Sequence, residues 1–137
     1  LTTQGLRMCP TAHRRIWVAR QKASDGATVT RAVERLRRLV RGQFDFFLQH
    51  PGHTAVLVQA DDAGGWADQS VRPVADLLRE GQATGFFRDD IDPEGHARLG
   101  LLLTLGYFGA RPVTERWGEP ELWRDRAADL IVRGASW

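Results

Sequence analysis

The residues with the types and spacing for chemistry are few, and most resolve into structure. His50 and His53 stand three apart, a spacing that puts two imidazoles on one helix face for a metal ion. Pro51 and Gly52 break that face, and no third ligand is near in sequence, so no metal site is expected. Asp89, Asp90 and Asp92 form a carboxylate cluster, but they lack the spacing of a calcium loop, and a capped helix start accounts for them. Gly64-Gly65 builds no phosphate cradle. No Gly-x-Ser-x-Gly elbow or Cys/His nucleophile pair is present, and the single cysteine, Cys9, reads as a bystander thiol. An all-α enzyme would need at least two titratable groups of displaced pKa in an apolar cavity. The predicted core stripes contain none, so no catalytic residue, cofactor or metal is expected. His96 falls in the first turn of an apolar helix, as an interface or surface histidine able to titrate near neutral pH. Thr104 and Tyr107, one helical turn apart, are the polar handles of that helix. Their hydroxyls need a partner, which a ligand or a water supplies.

The helix that carries them runs from Asp92 to Ala110. Asp92 can cap its first free N–H groups, Pro93 suits the first helical position, and Glu94 favours the positive end of the dipole. No charge occurs between Arg98 and Arg111, so the helix is apolar all round. It is shorter than the ~20 apolar residues that span a bilayer, so protein must cover it on nearly every side. The chain's own core is expected on one face and a second subunit on the other, with Gly100, Gly106 and Gly109 permitting close helix approach. A central helix in a monomeric bundle is the alternative.

Around it the periodicity predicts an all-α bundle of about five helices, without strands. Thr28 to Gln49 carries the stripe Val33, Leu36, Val40, Phe44, Phe47, capped by Thr28 or Thr30 and stopped by His50-Pro51-Gly52. A short helix over Thr54 to Ala60 is expected to end at Ala63-Gly64-Gly65. Val71, Val74, Ala75 and Leu78 mark the next helix, ending at Thr84 with Gly85 as a left-handed stop. Pro73 fits a first turn and places its start near Ser70, with Asp68 or Ser70 as cap. Phe86 and Phe87 are expected to plug the turn into the core. The last helix covers Glu119 to Arg133, with Leu122, Trp123, Ala127, Leu130 and Ile131 as its apolar face and Gly134 as its stop. Residues 1–27 read as a weakly structured basic segment, helical at most over Ala12 to Lys22, and 28–137 as one helical domain.

Composition fits a soluble protein: 137 residues, 42% hydrophobic and 26% charged. The lone cysteine excludes an internal disulfide, and no secretory leader is visible, so a cytoplasmic protein without a membrane partner is expected. The net charge of +2 divides unevenly: residues 1–41 hold ten Arg or Lys against Asp25 and Glu34. That basic end either faces something anionic or is a solvated helix face.

The run Val74 to Glu94 contains Gly81-x-x-x-Gly85-x-x-Arg88, then Asp92-Pro93 and a long glycine-containing apolar helix. It resembles the C-terminal half of TetR/AcrR-type transcriptional regulators. Arg38 to Pro51 resembles that family's helix leading into a His-Pro turn, and the likeness spans residues 28–134. The resemblance implies that the last two helices form a four-helix bundle with their copies in a homodimer through one self-complementary patch. Leu99, Leu102, Leu103, Gly106, Trp123, Ala127, Leu130 and Ile131 are its expected interface. It also implies a pocket for a small apolar effector, with Phe44, Phe47, Leu48, Trp66, Leu78, Phe86, Thr104, Tyr107 and Phe108 as candidate walls. The family's helix-turn-helix unit has no counterpart in residues 1–27. It either lies outside the chain or is lacking, and the chain by itself is not expected to read DNA sequence. A helical protein-interaction module without a ligand is the alternative.

Overall fold

The computed structural model describes residues 26–60 and 63–137. The expected basic segment and its helix over 12–22 lie outside the described residues. The described chain is all-α, with no strand. Helix α1 is Gly26–Gln49, α2 His53–Gln59, α3 Ala63–Thr84, α4 Pro93–Gly109, α5 Arg111–Thr114 and α6 Pro120–Ala135, with a 3-10 turn at Glu115–Trp117. The one-turn α5 stands where a loop was expected. Its Thr114 hydroxyl donates to the Tyr107 carbonyl at 3.0 Å, satisfying a free carbonyl at the end of α4.

The core is formed by one stripe from each long helix. Leu36, Val40, Phe44 and Phe47 of α1 meet Val71, Val74 and Leu78 of α3, Ala97 and Leu101 of α4, and Ala128, Ile131 and Val132 of α6, all buried. α1 packs along α3, α4 and α6, while α4 lies between α3 and α6. Across α1 and α6 runs a seam of charge. Arg124 Nη1 meets Asp45 at 3.0 Å, and Arg41 Nε meets Asp125 at 3.1 Å.

Helix α3 departs from its expected boundaries. It begins at Ala63, so Gly64 and Gly65 lie inside it rather than ending α2, and Pro73 sits in mid-helix. Proline removes the N–H that would serve the Gln69 carbonyl and crowds that turn. In the same turn the Ser70 carbonyl accepts from Gln43 Nε2 of α1 at 2.9 Å, so a neighbouring helix supplies a donor at the disturbed turn. Gly134 is likewise no stop. It lies within α6, where a Cβ would come 2.6 Å from His96 Cε1, and the helix runs on to Ala135.

The end of α3 follows the glycine pattern read in the sequence. Gly85 has φ 82, the Phe86 N–H donates to the Gly81 carbonyl at 2.7 Å, and the Gly85 N–H to the Gln82 carbonyl at 3.2 Å. This is the six-to-one and five-to-two pairing of a glycine-terminated helix. Gly81 has its own reason: a Cβ there would lie 2.0 Å from Cδ2 of Phe87, whose ring is fully buried. Phe86 is only half-buried. Gln82 Nε2 then donates to the Arg88 and Ile91 carbonyls, both at 2.9 Å, holding the link in place up to Asp92. Asp92 caps α4, accepting from the Gly95 N–H at 3.1 Å.

Candidate functional site

Helix α4 divides into two faces. Ala97, Gly100, Leu101, Thr104 and Tyr107 turn inward and are buried. Leu99, Leu102 and Leu103 turn outward, and Leu102 is 61% exposed. Gly100 lets Ile131 of α6 approach to 3.6 Å of where a Cβ would be, whereas a Cβ on Gly106 or Gly109 would meet nothing within 4 Å. The first glycine therefore serves packing within the chain, and the other two open onto the outer face. His96 is neither surface nor interface: its Nε2 lies 2.8 Å from the Ile131 carbonyl, bridging α4 to α6.

The outer faces of α4 and α6 enclose a groove of about 460 Å³. One wall is Leu102, Leu103, Gly106 and Ala110; the opposite wall is Trp123, Arg126, Ala127 and Leu130. Trp117 and Thr114 close one end, and Phe44 and Tyr107 also line it. The depth follows from residue size, because Gly106, Ala110 and Ala127 stand where larger side chains would fill the space. Nearly all the lining is apolar. Two polar groups stand out. Arg126 stacks on Trp123 with its guanidinium carbon 5.0 Å from a ring centroid, and it has no acidic partner among the described residues. Tyr107 is 7% exposed, and its buried hydroxyl has no hydrogen-bond partner among the described residues. An unsatisfied buried hydroxyl typically costs ~1–3 kcal/mol. The Trp123 indole, in contrast, donates to the Trp117 carbonyl at 3.2 Å.

Of the nine expected effector-lining residues, the groove takes Phe44 and Tyr107. Phe47, Phe108 and Phe44 stack with one another and with Tyr107 at centroid distances of 4.8 to 5.9 Å, filling the space between α1 and α4. Trp66 packs edge-on against Phe47 at 5.7 Å, Leu78 is fully buried, and Leu48 is half-buried. Phe86 lines a separate hollow beside Arg31 and Arg35. Thr104 is no free handle. Its hydroxyl donates to the Gly100 carbonyl at 3.2 Å within its own helix. The space imagined between α1, α3 and α4 is thus occupied by the rings meant to line it.

The expected interface set fares differently. Leu102, Leu103, Gly106, Trp123, Ala127 and Leu130 all line the groove, and Leu99 is exposed beside it. Ile131 is 2% exposed and belongs to the chain's own core, because position 131 lies one residue round the helix from the outward Leu130. Reasoning from sequence missed Trp117, Thr114 and Arg126. The available signal was the pairing of small residues at 106, 110 and 127 with tryptophans at 117 and 123.

His50 and His53 both stack on Phe46, at 4.7 and 5.3 Å, and no group of three metal-ligating side chains occurs among the described residues. Asp90 is held by a two-point pair with Arg88, at 2.9 and 2.8 Å, which raises the guanidinium pKa through hydrogen bonding and charge. No helix among the described residues is long and apolar enough to cross a membrane. No protein-family model, curated protein or solved structure matches the chain.

Proposed function

We propose that this chain is the effector-binding and dimerisation domain of a TetR-like transcriptional regulator. One observation carries the reading. After the core is complete, α4 and α6 still present Leu99, Leu102, Leu103 and Leu130 side by side to solvent. A contiguous apolar face on two adjacent helices is the pattern of a surface that pairs with its own copy about a twofold axis. The order of elements supports it: a glycine-terminated helix, an aspartate-capped start and then the two face-forming helices. In this reading an effector changes the populations of two subunit arrangements. DNA is contacted by a helix-turn-helix unit that the described residues do not include, and the spacing of two such units sets which half-sites they reach.

Sedimentation equilibrium of the chain tests the reading. A dimer at micromolar concentration is expected, and Leu102→Glu with Leu130→Glu is expected to give folded monomer, since both positions are exposed in the single chain. A wild-type monomer at tens of micromolar would overturn the proposal. The packed ring cluster between α1 and α4 favours a second reading, a dimerisation module with no small-molecule ligand. Absence of ligand-induced stabilisation across a panel of apolar compounds, in a chain that still dimerises, would select it.

A further inference from the structure

We infer that the groove between α4 and α6 is the effector site, and that its ligand is a small aromatic carboxylic acid. The inference rests on the regulator reading and gives its ligand a place and a chemistry. The volume of about 460 Å³ falls within the range of small-molecule pockets, ~300–1,000 Å³. Phe44, Trp117, Trp123 and Tyr107 supply ring faces and edges, which favour a flat apolar body. Two unmet polar groups then define the rest of the molecule. Arg126 lies along the wall without a carboxylate among the described residues, fixed over Trp123 rather than paired. Its planar guanidinium matches a carboxylate in two-point geometry. Tyr107 lines the same groove with a buried hydroxyl that has no partner among the described residues, and it can donate to a ligand oxygen. An apolar acid meets both needs. A purely apolar molecule meets neither, and a cation would face Arg126.

The test uses calorimetric titration of the full chain with 2-naphthoate and with its uncharged methyl ester. Naphthoate is expected to saturate one site per chain. Arg126→Gln should weaken naphthoate about tenfold or more and leave the ester unchanged, as loss of a charge-assisted contact implies. Tyr107→Phe should weaken both several-fold. Ala127→Phe, which fills the groove, should abolish both while the chain still melts cooperatively. No saturable naphthoate binding, or equal affinity in wild type and Arg126→Gln, would overturn the assignment. Sedimentation of the same samples separates the two ideas. A monomer that binds naphthoate through Arg126 removes the dimer reading and keeps the site; a dimer indifferent to naphthoate does the reverse.

Discussion

At the scale of single residues, Tyr107 and Gly81 show opposite bargains between stability and use. The Tyr107 hydroxyl is buried without a partner among the described residues, so Tyr107→Phe is expected to stabilise the ligand-free chain by up to about 1 kcal/mol in urea unfolding. A residue that weakens the empty fold and gains a contact only with ligand is what a binding position looks like. Gly81 is the reverse case. Any side chain there meets the buried Phe87 ring, so Gly81→Ala should destabilise by ~1–3 kcal/mol despite alanine's better helix propensity. The same urea titration reads it, and an unchanged midpoint would mean the ring can move aside. The two hydroxyls of α4 looked alike in sequence. They differ because Thr104 reaches back to a carbonyl four residues earlier, a short-range option that a tyrosine lacks.

At the scale of elements, the sequence was most legible where a backbone group had one available partner. The Asp92 cap, the Pro93 start and the Gly85 stop each followed from such a group, and each is where it was expected. Asp92→Ala should therefore cost ~0.5–2 kcal/mol, with the loss seen as a lower thermal midpoint and faster amide exchange in the first turn of α4. Legibility failed where tertiary contacts decide. Pro73 reads as a helix start by local rules, but α3 continues through it because its buried stripe and a donor from Gln43 outweigh the local penalty. Gly64 and Gly134 failed likewise, being helical glycines rather than stops. The candidate site was half legible. Apolar residues that must face away from the core were found by their period. Whether such a residue lines an internal pocket or an external groove depends on how helices cross, which periodicity does not encode.

At the scale of the whole molecule, the long contacts are made between the first and last described helices. Arg124 binds Asp45 and Asp125, and Arg41 adds to Asp125, so α1 and α6 share one charge network. The Arg124 hydrogen bond, and then the nearby guanidinium charges, hold the Asp125 carboxyl below its ordinary value. A carboxylate with a depressed folded pKa stabilises above its unfolded pKa, near ~4, and that contribution is lost as pH falls through the folded value. Stability should thus decline shallowly below about pH 4, and less steeply in Asp125→Asn, as followed by circular dichroism. Because the seam is largely exposed, the difference should shrink in high salt.

The turn after α3 has one further implication. The Arg88 N–H donates to the Ala135 carbonyl at 2.8 Å and the Trp137 indole to the Gly85 carbonyl at 3.1 Å, so a bend near the middle of the chain borrows its partners from residues 135–137. During synthesis those partners are the last of the described segment to leave the ribosome. Until they emerge, the bend must stay unlatched, with Phe87 short of part of its final enclosure. Maturation of this fold therefore belongs after translation of residue 137, when both ends of the described chain can meet.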